Sequence, residues 1–208
     1  MKILALELST ARGSAAWMEQ DVLVEDAWPN DRKNSGPFFT AVKAMLEKNG
    51  SPETIIVGLG PGSYAGIRIA ISAAIGLQAA SQARLVGVPS ICAMQTEARC
   101  FDVIGDARRE TFFLARIEDG RLMGEPELMS ERDLEAKLAR MGEAAPVISS
   151  DKLPQFGGVQ LAFPSAAHLA RLARDVNGRF SLPPLEPMYL REPHITQPKP
   201  VAGSVTKS

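Results

Sequence analysis

A glycine-rich segment, residues 58–66, is the part of this sequence best suited to bind a small anion. It reads Gly-Leu-Gly-Pro-Gly-Ser-Tyr-Ala-Gly and lies between an apolar, β-branched run and a long run of small residues, so it is expected to join a strand to a helix. Backbone N–H groups of such a loop can hold a phosphate at the start of the helix. Gly60, Gly62 and Ser63 are therefore candidate anion- or nucleotide-facing residues. A tight turn that only admits close packing is an equally good interpretation.

The first apolar run ends in Glu7, Ser9 and Thr10, and the two hydroxyl residues are further candidates to face an anion. An ATPase with two phosphate loops needs a glycine at this turn and a carboxylate to organise Mg²⁺ and water. Here the glycine is displaced to position 13, and residues 105–108 offer no second glycine-rich loop. We therefore expect no ATP hydrolysis by this chain alone. ATP or ADP bound at an interface with partners stays an open alternative.

Histidine and cysteine are too sparse for a zinc enzyme. A catalytic zinc needs about three protein ligands, commonly two histidines on one helix face, and this chain has only His168 and His194. We expect both on the solvated surface. Cys92 and Cys100 are expected to be two buried thiols in a reduced compartment. The sequence predicts no metal site and no catalytic residue.

Charge and hydropathy narrow the class of protein further. The 208 residues carry a net charge of −1, which argues against nucleic-acid binding by bulk electrostatics. No stretch approaches the roughly 18 uninterrupted apolar residues of a membrane span, and the first apolar run is too short for a signal peptide. We expect a soluble cytoplasmic protein without membrane contact.

The elements that position these residues follow an α/β order. Three strands, a helix, a strand, a helix and a strand are predicted at 2–8, 14–18, 22–28, 37–48, 54–59, 63–81 and 84–88. This is the order of a ribonuclease-H-like unit. A short helix at 90–99, strands at 101–104, 111–117 and 146–149, helices at 130–140 and from Ser165 to Asn177-Gly178, and an extended proline-rich end from Leu182 should follow. We place a lobe boundary near residue 100, which gives lobes of 1–100 and 101–208.

The predicted helix 63–81 has almost no polar face. Residues 54–96 contain no Asp or Glu, and their only charges are Arg68 and Arg84. A helix that is apolar all round should be buried all round, and another protein chain is the simplest cover; a central core helix is the alternative. Arg68 either forms a salt bridge across that interface, or to a bound anion, or pairs locally with a carbonyl. The candidate partner-facing residues are Tyr64, Ile67, Arg68, Ile71, Ala74, Ile75, Gln78 and, on the preceding helix, Phe38 and Met45.

Four segments resemble the TsaB (YeaZ) family, a bacterial subunit in the synthesis of threonylcarbamoyladenosine at position 37 of tRNA. They are Ile3-Leu4-Ala5-Leu6-Glu7-Leu8-Ser9-Thr10, residues 58–69, Asp106-Ala107-Arg108-Arg109-Glu110 and Pro187-Met188-Tyr189-Leu190-Arg191. The resemblance implies an actin-like fold of the sugar kinase and Hsp70 type, with two ribonuclease-H-like lobes. The family usually has Asp in place of Glu7.

The same resemblance implies a function. In this family, which has been grouped with the M22 glycoproteases, the subunit is a non-catalytic scaffold that pairs with the larger paralogue TsaD through a helical bundle. The small ATPase TsaE docks on the pair, and tRNA is reached only through the complex. Self-association as a homodimer through the same helical face is expected when the protein is alone. Arg108, Arg109, Arg116, Arg171 and Arg174 are expected on a solvated face. An ATP-dependent kinase or ATPase of the actin-like fold is the alternative.

Overall fold

Two mixed β-sheets, formed one after the other along the chain, make up the framework of the protein. The computed structural model describes residues 1–30, 34–142, 145–174 and 180–190. The predicted helix end at Asn177-Gly178, Arg191 and His194 lie outside these residues.

The first sheet has five strands in the order β3-β2-β1-β4-β5. β1, β2 and β3 run antiparallel, whereas β1, β4 and β5 are parallel. β4 (Thr-Ile-Ile-Val-Gly) is buried along its whole length, as expected for a β-branched central strand covered on both faces. This arrangement confirms the predicted ribonuclease-H-like order. The strands are β1 Lys2–Glu7, β2 Arg12–Glu19, β3 Val22–Pro29, β4 Thr54–Gly58 and β5 Arg84–Val88.

Two helices, α1 (Gly36–Asn49) and α2 (Tyr64–Ser81), cover one face of the first sheet. α1 carries a proline in its first turn, where the missing N–H costs no hydrogen bond. At the start of α2, the Ser63 hydroxyl accepts a hydrogen bond from the Gly66 N–H at 3.3 Å, an N-cap that satisfies one otherwise free donor. Leu4, Leu6 and Leu8 point from the sheet into the core beneath these helices.

The second sheet has the strand order β11-β10-β6-β7-β8, with β9 paired to β7. Helix α3 (Glu131–Met141) follows β9, packs on this sheet and buries Leu134 completely. The sequence prediction missed β8, β9 and β11, because strands of two to four residues show no period-2 pattern. The strands are β6 Cys100–Asp106, β7 Thr111–Glu118, β8 Arg121–Leu122, β9 Glu127–Ser130, β10 Val147–Ser149 and β11 Gln160–Leu161.

Helix α4 (Ala166–Ala173) comes from the second half of the chain but packs on β1, β2 and β4 of the first sheet. The Ala166 N–H donates to the Ser14 hydroxyl at 2.8 Å, which fixes the start of the helix against β2. One continuous core joins α4 to both sheets. The lobe boundary near residue 100 coincides with the start of β6 and stays a prediction, since the core does not divide there.

Several local predictions are wrong. The helix expected at 90–99 is a 3₁₀ turn over Ser90–Ala93, because Met94 is extended and the Thr96 hydroxyl accepts a hydrogen bond from the Ala98 N–H. Cys92 is buried as predicted, and this burial raises the pKa of its thiol to about 12. Cys100 is only partly buried, contrary to the prediction. His168 is half-buried rather than solvated, with its Nδ1 2.9 Å from the Ser165 hydroxyl.

Candidate functional site

A cleft of about 310 Å³ opens between the two sheets. The segments that line it follow the carboxyl ends of β1, β3, β4, β6 and β10, the edge where ligands bind in open α/β sheets. Four of the five predicted anion-facing residues, Ser9, Thr10, Gly62 and Ser63, meet here, whereas Gly60 is not in the lining. The lining comprises Ser9, Thr10, Ala11, Asn30, Pro61, Gly62, Ser63, Asp106, Ala107, Arg108, Ser150, Asp151, Met188, Tyr189 and Leu190.

The glycines of the loop before α2 serve close packing against the end of β1. A Cβ atom at Gly62 would collide with the Ser9 carbonyl oxygen, and one at Gly66 would collide with the Leu8 carbonyl oxygen. The Ser63 N–H donates to the Ser9 carbonyl at 2.6 Å. These carbonyl oxygens stand beside the first turn of α2, where a phosphate would need free N–H groups. Of the two interpretations that the sequence left open, this geometry favours close packing.

Glu7, the last residue of β1, is a completely buried carboxyl group beneath the cleft. Its Oε1 accepts a hydrogen bond from the Ser9 N–H at 2.6 Å, and its Oε2 has no hydrogen-bond partner among the described residues. Burial raises the pKa of Glu7, and the neighbouring Ser9 and Ser90 offset only part of that rise. A Cβ at Gly58 would collide with this carboxyl group, so the glycine leaves the space that glutamate needs.

The opposite wall of the cleft is a turn held by two aspartates. Asp106 accepts a hydrogen bond from the Arg108 N–H at 2.6 Å and forms an ion pair with its guanidinium at 3.2 Å, while Asp151 accepts one from the Asp106 N–H at 3.1 Å. Arg108, Arg109 and Glu110 all have positive φ angles, of 68°, 53° and 57°, which non-glycine residues rarely adopt. Sequence reasoning placed Asp106 and Arg108 in a motif, but nothing in the sequence connected Asp151 to them.

The outward face of α2 is the second candidate surface. Of the predicted partner-facing residues, Tyr64, Arg68 and Ile75 are exposed and Gln78 is half-buried. The remaining predicted residues lie in the core beneath the helix, so they cannot face a partner; these are Ile67, Ile71, Ala74, Phe38 and Met45. Phe39 of α1, which the prediction did not include, is 51% exposed. The outward face of α2 consists of Tyr64, Ala65, Arg68, Ser72, Ile75, Gly76, Ala79 and Ala80.

The end of the described chain reaches this face. Residues 180–190, here called the C-terminal strap, cross the edge of the first sheet, where Ser181 and Gly87 exchange two hydrogen bonds of 2.8 and 2.9 Å. The strap then buries Leu185 in the core, and the Met188 N–H donates to the Leu59 carbonyl at 2.7 Å. Tyr189 stacks on Tyr64 with ring centroids 5.6 Å apart.

In the described part of the chain, no helix is both long and apolar enough to span a membrane. The His, Cys, Asp and Glu side chains in that part of the chain form no group of three that could hold a metal ion.

One protein family and several solved structures are similar to this chain. A family model described as TsaD, tRNA N6-adenosine threonylcarbamoyltransferase, matches residues 38–166. The fold is similar to the crystal structure of an uncharacterized protein with similarity to peptidase YEAZ from Pseudomonas aeruginosa, with a TM-score of 0.73 and 22% identity over 91% of this chain and 99% of that chain. It is also similar to YeaZ from Pseudomonas aeruginosa, with a TM-score of 0.72 and 21% identity over the same shares.

None of the curated proteins compared with this chain matches it. The structural likenesses confirm the fold, a two-lobed α/β architecture of the actin-like type. The predicted resemblance to the TsaB (YeaZ) family is confirmed by the family model together with these folds.

The close approach of α2 to β1 predicts opposite effects of alanine at two glycines of the same helix. Gly66→Ala should lower the free energy of unfolding by about 1–3 kcal/mol, because its Cβ meets the Leu8 carbonyl. Gly76→Ala, whose Cβ meets nothing within 4 Å, should raise it by about 0.5–1 kcal/mol, as alanine favours a helix. Urea denaturation of both variants measures these changes. Equal effects would show that the contact with Leu8 imposes no constraint.

The buried carboxyl group of Glu7 predicts a stability that falls with pH. A raised pKa in the folded protein means that stability is fully present below the unfolded carboxyl pKa of about 4.3 and is lost as pH rises through the folded value. Glu7→Gln cannot ionise, so its stability relative to wild type should increase with pH by at most ~1.4 kcal/mol per unit. Urea denaturation between pH 4 and 8 tests this, with the exposed Glu135→Gln as control. A constant difference across that range would contradict it.

Proposed function

Because this chain belongs to the TsaD family, the family of tRNA N6-adenosine threonylcarbamoyltransferase, we propose that it takes part in threonylcarbamoyl modification of tRNA. Its role in this proposal is that of a non-catalytic subunit, which pairs with a catalytic TsaD paralogue and holds it in a competent state. The fold shared with YeaZ and the outward face of α2 support this role.

The outward face of α2 is the observation that carries the proposal. It presents small side chains around Ile75, which is 49% exposed, and it contains no acidic residue. An apolar face along a helix of 18 residues is normally covered in a stable monomer. Small residues let a second helix approach closely, so a partner helix could bury this face with few unfilled gaps.

The wider assembly is proposed on the same basis. TsaE would dock on the pair, and tRNA would be bound by the complex rather than by this chain, since its net charge is only −1. Alone in the cytoplasm, the chain would cover the face of α2 with a second copy. A TsaD paralogue would displace that copy when it binds more tightly.

Replacing an apolar residue of the outward face by a charged one should weaken pairing strongly without unfolding the chain. Ile75→Glu places an unpaired carboxylate at the centre of the proposed interface, so we expect the dissociation constant for the TsaD paralogue to rise at least 100-fold, or about 2.7 kcal/mol. Isothermal titration calorimetry with purified proteins measures it.

The matched control is Leu161→Glu, a change at an equally exposed apolar residue (51%) on β11 of the second sheet. This variant should bind the paralogue as wild type does. If Ile75→Glu binds normally while its thermal unfolding matches wild type, α2 is not the interface.

An ATP-dependent kinase or ATPase is the second candidate, because the cleft gathers Ser9, Thr10, Ser63 and Arg108 on facing walls. Two features argue for little activity by the isolated chain: the Ser9 carbonyl occupies the start of α2, and Asp106 already pairs with Arg108. We expect ATP or ADP to bind only when partners complete the cleft.

A measurement of phosphate release from ATP distinguishes a non-catalytic subunit from an ATPase. The isolated chain should show no turnover above buffer, whereas ADP should raise the melting temperature of the complex more than that of the chain alone. Turnover by the isolated chain that is lost in Asp106→Asn would establish the ATPase instead.

A further inference from the structure

Arg68 is an exposed cation held in a fixed position on the outward face of α2. Its Nη1 donates to the Tyr64 hydroxyl at 2.7 Å, and its Cζ lies 5.1 Å from the centroid of the Tyr64 ring. Tyr189 of the C-terminal strap stacks on Tyr64 at an interplanar angle of 28°. The two rings are 52% and 42% exposed. An arginine guanidinium stays charged in proteins, and the neighbouring Tyr189 and Tyr64 raise the pKa of Arg68 further.

This cation has no carboxylate partner within the described residues. The ion pairs found there join other residues, and the 43 residues from 54 to 96 contain no Asp or Glu. Arginines of the second sheet differ: Arg116 binds Asp102 at 2.7 Å and Arg108 binds Asp106 at 3.2 Å. The Tyr64 hydroxyl therefore orients the Arg68 guanidinium without neutralising it.

We propose that the outward face of α2 receives a different protein that places an Asp or Glu carboxylate against Arg68. The inference rests on the proposed function for the location of the interface, and it adds the chemistry of the partner's contact. A planar guanidinium with fixed orientation matches a carboxylate through two parallel hydrogen bonds. Arginine and tyrosine beside an apolar patch are the residue types that dominate binding energy at interfaces.

Charge complementarity selects a different protein over a second copy. The outward face of α2 carries one charged residue, Arg68, and no carboxylate. Two copies meeting through this face would bring two cations and no carboxylate to the interface, so Arg68 would stay unpaired, which costs affinity. Self-association through α2 should consequently be weak compared with binding to the paralogue.

The end of the C-terminal strap at Tyr189 is part of this docking surface. Hydrogen bonds to Gly87 and Leu59 and the buried side chain of Leu185 fix the course of residues 181–188 on the first sheet. Tyr189 is thereby held against the ring of Tyr64, whose hydroxyl accepts the hydrogen bond from Arg68. Tyr189 is a positioning residue in this account, and its ring acts on Arg68 through Tyr64.

The test compares two arginines from the same acid-free segment. Dissociation constants for the purified TsaD paralogue are measured by titration calorimetry at 50 and 300 mM NaCl for wild type, Arg68→Gln and the control Arg84→Gln. Arg84 starts β5, and its Cζ lies 5.7 Å from the centroid of the Phe180 ring, at the opposite end of the strap from Tyr189. Arg68→Gln should bind about 10- to 100-fold more weakly at low salt, with less salt dependence. Arg84→Gln should match wild type. Tyr189→Ala, which removes the stacked ring, should weaken binding by about threefold, with unchanged salt dependence.

Each result decides between specific alternatives. If wild type and both arginine variants bind equally, with equal salt dependence, the proposed carboxylate contact is wrong while the proposed function stands. If the paralogue binds neither wild type nor Arg84→Gln, both proposals fail. Sedimentation equilibrium of each protein alone tests the second copy as partner. A wild-type dimer that is tighter than the complex with the paralogue, and that Arg68→Gln weakens, would overturn the choice of a different protein.

Discussion

Direct contact between the backbone at the end of β1 and the first turn of α2 determines the arrangement of the first lobe. Gly62 and Gly66 bring the helix against the carbonyl oxygens of Ser9 and Leu8. At such a distance the helix cannot rotate about its axis without a collision. The contact therefore sets which residues of α2 enter the core and which face outward. Ile67, Ile71 and Ala74 are fixed inside, and the opposite side of the helix is exposed.

The same contact shapes the cleft. Because the Ser9 carbonyl accepts the Ser63 N–H, the loop before α2 is closed against the first strand. The cleft lies above this contact, between the Ser9 side and the turn that holds Asp106. Glu7 is buried beneath the cleft, and this burial raises the pKa of its carboxyl group. The raised pKa of the buried Glu7 carboxyl group and the Ser9 carbonyl beside the first turn of α2 are features of a packed junction between strand and helix.

The two lobes differ in how their charged side chains are paired. In the second lobe, Asp102 is almost completely buried and is matched by Arg116 at 2.7 Å; the pKa of Asp102 is raised by burial, against the lowering effect of Arg116. The first lobe has no acidic residue between 54 and 96, and the Arg68 guanidinium donates to the Tyr64 hydroxyl instead. In the proposed interface, a cation that is oriented but not neutralised would lower the cost of binding an external carboxylate, because less side-chain freedom is lost on association. The absence of acids from that segment would then make α2 selective as well as apolar.

The sequence alone determined the order of the elements of the first sheet, since periodicity, capping residues and glycine breaks are local signals. β5 was predicted with its observed bounds, and α2 was predicted to begin at Ser63, which is its N-cap in the structure. The absence of acids around α2 also pointed to a buried or partnered helix. Sequence could not decide which side of α2 faces outward, because its small apolar residues give no strong amphipathic signal. Only the packing of Gly62 and Gly66 against β1 settled that orientation. The cleft likewise needed tertiary structure: Asp151 and Asp106 are 45 residues apart, and the pairing of β6 with β10 brings them together.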